Sequence, residues 1–270
     1  MGALLGVARG ASGAGQGRGL MPLLRTDRLT KTFGALTAVN DVSIAVEEGS
    51  LHSVIGPNGA GKTTFFNLLT GQHAPTSGRI MFDGRDIAGT PPHGVAHLGI
   101  ARSFQRTSIF PTLSILDNVW LAAFARQESW RGLAWRRADG YPEPTQRALV
   151  VLGEVGLGDK AGQPAREISH GEQRQLELAI ALAATPRLLL LDEPAAGLSP
   201  DETQKMVTLV RRFKGRYTII LIEHKIDVVM TMSDRISVMH FGSVIAEGTP
   251  TEIQRNPEVR RAYLGGVVAP

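Results

Sequence analysis

The chain contains no cysteine, which excludes disulfides and thiolate metal sites and agrees with a reducing compartment. It has no apolar run approaching the roughly 18 residues that span a bilayer. The nearest, Leu176 to Leu191, is broken by Glu177, Pro186 and Arg187, so any membrane role is expected to be peripheral. An excess of charge of one sign is also missing. The net charge is +4, and Arg9 and Arg18 near the N-terminus supply part of it, which leaves no basic footprint of the kind that nucleic acid requires. What remains is an ordinary globular composition: 43% hydrophobic residues in a chain of 270 can build the core of one large domain or two small ones.

One stretch organises the rest. Gly56-Pro57-Asn58-Gly59-Ala60-Gly61-Lys62-Thr63-Thr64 fits the phosphate-loop spacing G-x-x-x-x-G-K-[ST] without a mismatch. Leu51 to Ile55 before it reads as a short buried strand, and Thr64 to Leu69 after it has helical apolar spacing, so the glycines fall at a strand-to-helix turn. Gly56, Gly59 and Gly61 let successive backbone N–H groups turn onto phosphate oxygens, with Asn58, Ala60 and Thr64 in the same cradle, and the helix N-terminus adds partial positive charge. Lys62 is expected to reach the β- and γ-phosphates and the Thr63 hydroxyl to ligate Mg²⁺. The chain is therefore expected to bind a nucleoside triphosphate.

Residues 1 to 20 are too rich in glycine to order themselves and are expected to form a disordered tail. A signal peptide is the competing reading, and a start at Met21 is a third. From Leu23 to Val46 alternating apolar positions predict antiparallel strands. Phe33, just before a turn at Gly34, is either a core aromatic or a stacking platform for adenine. Thr76-Ser77-Gly78 predicts a turn, Arg79 to Phe82 a strand, and Asp83-Gly84 a hairpin turn. Ile100 to Phe104 reads as a strand ending in Gln105. Leu113 to Phe124 reads as a helix with Asp117 and Asn118 on its polar face. Residues 126 to 144 form an irregular insert containing Trp130 and Trp135, and Thr145 to Val155 is helical.

Ser169-His170-Gly171-Glu172 has capping-box spacing ahead of a helix from Gln173 to Ala184. The run Arg187 to Leu191 reads as a buried parallel strand that delivers Asp192-Glu193 at its C-terminal end, the edge where ligands sit in open α/β sheets. A helix from Pro200 to Phe213 precedes a strand from Thr218 to Ile222 and then Glu223-His224. Arg235 to Met239 and Ser243 to Glu247 predict a hairpin. Thr249 to Glu252 is a second capping box, and Asn256-Pro257 opens a last helix ending near Gly265.

In their order, the phosphate loop, Gln105, the Ser169 helix start, Asp192-Glu193 and His224 resemble the ATP-binding subunit of an ABC transporter, over about residues 23 to 265. Gly99-Ile100-Ala101-Arg102-Ser103-Phe104-Gln105, Ala195-Ala196-Gly197-Leu198-Ser199-Pro200 and the ending Arg255 to Gly265 are similar to the branched-chain amino acid importers. The resemblance implies an α/β fold: a phosphate-loop NTPase core of ABC ATPase type with an antiparallel β subdomain and a helical subdomain. The domain would cover residues 21–250, with the helical subdomain about 106–170 and a C-terminal helical extension at 251–270.

It further implies ATP and Mg²⁺ as ligands. Glu193 would position or deprotonate the attacking water, His224 would contact the γ-phosphate, Asp192 would support Mg²⁺ with Thr63, and Gln105 would sense metal and water and face the membrane partner. Phe33 would join the nucleotide-binding residues. Ser169 and Gly171 would meet the γ-phosphate held by an opposite subunit, so the working unit would be a homodimer or a heterodimer with a second ATP-binding subunit. Transmembrane permease subunits and, indirectly, a solute-binding protein are the implied partners, with no nucleic acid. The implied place is the cytoplasmic face of the cell membrane.

Two departures stand out. His170 and Glu172 interrupt the usual Leu-Ser-Gly-Gly-Gln signature, and Ser199 replaces the Asp that normally ends the loop after the catalytic Glu. The alternative class is a soluble ABC-type ATPase acting as a clamp on DNA or ribosomes, but the second cassette or long coiled coil of such chains is missing here.

Overall fold

A computed structural model describes residues 21–103, 109–126 and 142–264. The N-terminal tail, Gln105, Trp130, Trp135 and Gly265 lie outside the described residues. The chain opens with β1 (Leu24–Phe33), β2 (Leu36–Val42) and β3 (Ala45–Val46), then enters the interior as β4 (Leu51–Ile55). Helix α1 (Lys62–Leu69) follows, then β5 (Ser77–Phe82), β6 (Arg85–Asp86), α2 (Pro92–His97) and β7 (Ile100–Ser103). Three helices come next, α3 (Ile115–Ala125), α4 (Pro142–Val155) and α5 (His170–Ala183). The remainder runs β8 (Leu188–Asp192), α6 (Pro200–Phe213), β9 (Thr218–Ile222), α7 (Ile226–Met232), β10 (Arg235–His240), β11 (Ser243–Gly248), α8 (Pro250–Arg255) and α9 (Pro257–Leu264).

Two sheets result. The first is antiparallel, in the order β2-β1-β5-β6 with β3 also on β1. The second, β11-β10-β4-β9-β8-β7, is parallel except for its edge strand β11. β4, β8 and β9 are buried along their whole length, because both faces are covered; β8 and β9 read as nearly continuous apolar runs, whereas β4 carries buried His52 and Ser53. One face packs on α3, α4, α5 and α6 through Ile115, Leu152, Leu176, Leu189 and Leu221. The other packs on α1 and the antiparallel layer through Phe65, Phe66, Leu29 and Ile80. Each fully enclosed phenylalanine contributes roughly 2–3 kcal/mol of transfer free energy. Because the strands are parallel and in register, their C-terminal ends coincide. Gly56 after β4, Asp192 at the end of β8 and Glu223-His224 after β9 emerge along one edge.

Several expectations need correction. The turn read at Thr76-Ser77-Gly78 is strand from Ser77 onward. Gly78 sits where β1 passes so close that a Cβ would lie 2.4 Å from the Arg28 carbonyl oxygen, at a register shift between Asp27 and Thr30; it marks a close approach of two strands rather than a reversal. Asn118 is not on a polar face. It is buried, and its amide accepts from the Phe110 N–H and donates to the Phe110 and Ser114 carbonyls, fastening the loop before α3. Helix α4 begins at Pro142 rather than Thr145, with a proline in its first turn where no N–H partner is needed. Helix α5 packs against both α3 and α4. The C-terminal helices dock on the domain, with Ile253 and Val259 sharing a cluster with Ile55 and Val238.

Candidate active site

The phosphate loop, Glu193 and His224 line one groove of about 530 Å³, whose opposite wall is built by Ala38 and Gly242. Gly61 is the N-cap of α1, with φ of 98° and no side-chain cap. A Cβ there would lie 2.2 Å from the Ala38 carbonyl oxygen, so only glycine brings the loop this close to β2. The first N–H groups of α1 are thus left without a side-chain acceptor, an arrangement suited to an anion. Lys62 is buried and donates to the carbonyls of Gly56 (2.7 Å) and Pro57 (3.0 Å). Burial pushes its pKa down, while the nearby Glu193 and Asp192 charges pull the other way. Those two carbonyls hold the ammonium where phosphate oxygens would compete for it.

Glu193 follows Asp192 in the left-handed region, with φ of 52°, strained for a non-glycine residue. Its N–H donates to the Ile222 carbonyl at 2.9 Å, and one carboxylate oxygen meets His224 Nε2 at 2.5 Å. The backbone twist and the imidazole together aim the carboxylate into the groove. Buried Glu223 accepts from the Ala195 N–H (2.9 Å) and the His224 N–H (3.0 Å). Lys225 Nζ reaches the Ala195 carbonyl and the Thr203 hydroxyl. The loop after Glu193 is therefore fastened to the end of β9.

Asp192 is almost fully enclosed. Its Oδ2 accepts from Arg102 at 2.6 Å, and its Oδ1 is buried without a hydrogen-bond partner among the described residues. Asp192 is not among the groove-lining residues and lines a small cavity with Ser103, Arg174 and Glu177, yet its charge is felt at Lys62. An orphaned buried carboxylate oxygen there fits a hard cation or its water. No group of three or more His, Cys, Asp or Glu side chains among the described residues could cage a metal. A cation here thus suits the Mg²⁺ pattern of one carboxylate, the exposed Thr63 hydroxyl, and oxygens from water and phosphate.

Not every expected residue joins this groove. Ser169 and Gly171 line a separate cavity of about 290 Å³ with Glu202 and Lys205. Ser169 caps α5 in a full capping box with Glu172, and a Cβ on Gly171 would lie 2.6 Å from Glu202 Oε1. His170 stands beside Gly197, to whose Cβ its Nε2 would be 3.1 Å away, so the signature segment touches the loop after Glu193. Ser199 forms its own capping box with Glu202, which gives the residue in place of Asp a helix-starting role. Phe33 is half-exposed, edge-on to His73 and under Lys31, and is not among the groove-lining residues.

Four residues with contacts in the site were not singled out from sequence: Arg102, Glu223, Lys225 and Tyr263. Arg102 left a trace as a cation inside a strand-like apolar segment, and Glu223 as the charge that stops β9. Tyr263 of α9 packs against the cluster that includes Ile55, and burial pushes its pKa up to about 12, with the Gly56 backbone acting in the opposite direction. Nothing local to either residue announces that contact.

Residues 39–196 match the ABC transporter family, and residues 243–269 match the branched-chain amino acid ATP-binding cassette transporter family. Over 252 residues the chain is 41% identical to the high-affinity branched-chain amino acid transport ATP-binding protein BraF of Pseudomonas aeruginosa, covering 90% of this chain and 98% of that protein. Its fold superposes on the ADP conformation of MJ1267, an ATP-binding cassette of an ABC transporter, with a TM-score of 0.82 and 31% identity over 91% of this chain and 99% of that one. The dimeric post-hydrolysis state of the cassette MJ0796, bound to ADP and Pi, matches at a TM-score of 0.72 and 25% identity, over 84% and 98%. With the phosphate loop, the Asp192-Glu193 strand end and His224 on one edge and both family segments in place, the chain belongs to the ABC transporter family as an ATP-hydrolysing, ATP-binding subunit.

Proposed function

We propose that this chain powers uptake of branched-chain amino acids, or of a related small polar solute, by hydrolysing ATP in a dimer bound to separate permease subunits on the cytoplasmic face of the membrane. The observation that carries the chemistry is the Glu193–His224 contact of 2.5 Å in the groove that also holds the phosphate loop. The names of the relatives support the solute class. No helix among the described residues is long and apolar enough to cross a membrane, which agrees with a peripheral subunit.

In this reading the loop amides and Lys62 bind the phosphates, Lys62 exchanging the Gly56 and Pro57 carbonyls for phosphate oxygens. Asp192 Oδ1 and the Thr63 hydroxyl would hold Mg²⁺, which neutralises charge on the β- and γ-phosphates when bound. Glu193 accepts a proton from the attacking water as its oxygen bonds to the γ-phosphorus and the bond to the ADP oxygen breaks. His224 keeps the carboxylate aimed. Ser169 and Gly171, remote from their own chain's phosphate loop, act on ATP held by the other protomer, so closure completes each site. Gln105 carries the signal to the permease.

Reconstitution of the chain with its permease subunits in vesicles tests this. Radiolabelled leucine should accumulate only with ATP supplied on the side of this subunit, and Glu193→Gln should abolish accumulation while leaving the complex intact. Binding to nucleic acid or ribosomes that stimulates ATP turnover, without leucine uptake, would favour the clamp reading.

A further inference from the structure

Arg102 lies in β7, the edge strand of the parallel sheet, yet its side chain is only 6% exposed. Its guanidinium makes two bonds in different directions, to Asp192 Oδ2 at 2.6 Å and to Asn67 Oδ1 on α1 at 2.7 Å. It also stands 5.5 Å from the centre of the Phe66 ring. One cation thereby joins three elements: the strand that leads towards Gln105, the strand end that carries Asp192, and the helix that starts at the phosphate loop. Stability is a weak reason to keep such a group, since replacing a buried ion pair by apolar residues is often neutral or favourable. What the pair does achieve is geometric. It uses one oxygen of Asp192, leaves Oδ1 free, and fixes the carboxylate to the phosphate-loop helix through a planar fork.

We infer that Arg102 is a positioning residue for ATP hydrolysis, one that locks Asp192 to the phosphate-loop helix through Asn67 and tempers the carboxylate's attraction for a divalent cation by sharing its charge. The inference rests on the reading of Asp192 as the metal-supporting carboxylate. Two effects follow, and they separate. Orientation depends on the fork, whereas tempering depends only on the positive charge beside Asp192. Loss of the charge strengthens cation binding; loss of the fork slows turnover.

The probe is Mn²⁺ binding in the presence of ADP, read by electron paramagnetic resonance, together with steady-state ATPase kinetics on the full chain. Arg102→Met should tighten Mn²⁺ binding about fivefold and lower kcat about tenfold with KM for ATP within about twofold. Arg102→Lys keeps the charge and loses the fork, so Mn²⁺ affinity should stay within about twofold while kcat falls as in the Met variant. Asn67→Ala cuts only the helix arm and should lower kcat by a smaller factor, and it supplies a test should Arg102→Met fold poorly. Wild-type Mn²⁺ affinity in Arg102→Met, or full kcat in both Arg102→Lys and Asn67→Ala, would overturn the inference. Asp192→Asn separates the two levels: unchanged Mn²⁺ binding there removes the metal assignment of Asp192 itself, and the inference falls with it.

Discussion

The proposed function rests on two helix N-termini, and they are finished in opposite ways. At α1 the cap is Gly61, with no side-chain acceptor and no acidic residue in the first turn. At α5 the cap is Ser169, closed by a capping box, with Glu172 held by Lys160 at 2.5 Å and the Glu202 carboxylate against Gly171. The bare end can take a phosphate without giving anything up. The capped end already satisfies its donors, a contribution of about 1 kcal/mol, so a phosphate there must displace an internal acceptor. Under the proposed reading, the contrast accounts for ATP binding by one protomer, with engagement of the signature helix waiting for closure.

Glu193→Gln should sharpen the contrast most. It removes the base and leaves both helix ends intact, so turnover should fall by about a hundredfold or more while ATP stays bound, measured by phosphate release and by retention of radiolabelled ATP. Near-normal turnover would remove Glu193 from its role. Lys62→Ala acts on the bare end alone and should weaken ATP binding roughly 10- to 100-fold; unchanged affinity for a fluorescent ATP analogue would mean that the loop amides suffice.

A third effect depends on pH. His52 in β4, the strand feeding the bare end, is buried against the Ser237 hydroxyl, and burial together with Arg235 lowers its pKa to about 4. The unfolded chain binds this proton near pH 6.5 and the folded chain only near 4. The stability tied to the neutral ring is therefore complete above about 6.5 and lost as pH falls towards 4, amounting to roughly 3 kcal/mol. Denaturant unfolding of His52→Gln should show a shallower acid slope across that window; an unchanged slope would move the acid sensitivity elsewhere. Tyr263→Phe, which removes a half-buried hydroxyl next to the start of the phosphate loop, should cost least, a weakening of ATP affinity of about two- to fivefold, measured by titration calorimetry.

Most of this fold was legible because it is locally written. β8 and β9 announce themselves as apolar runs of strand length, and α6 and α8 carry Ser or Thr caps, Pro at N1 and Glu at N3. The phosphate loop and the Asp192-Glu193 strand end were legible for the same reason. Contacts between distant segments were not. Asn118 looks like a helix-surface residue until the backbone of Phe110 folds over it, and Gly78 looks like a turn until β1 lies across it. Arg102 reaches Asp192, and Tyr263 the cluster of Ile55, only because β7 meets β8 and α9 packs onto the end of the sheet, arrangements that no short window contains. The separation of Ser169 from its own phosphate loop is likewise a property of the whole fold.

The measurement that bears most directly on the central claim is ATP-dependent dimerisation of Ser169→Asp in a Glu193→Gln background, followed by size-exclusion chromatography. Aspartate is as good an N-cap as serine and better placed beside the helix dipole, so folding and melting should be normal. A carboxylate facing the partner's γ-phosphate should nonetheless oppose closure, and the ATP-induced dimer should be lost. A dimer undiminished by this substitution would show that Ser169 only caps α5, and would contradict the account in which the capped end completes the other protomer's site.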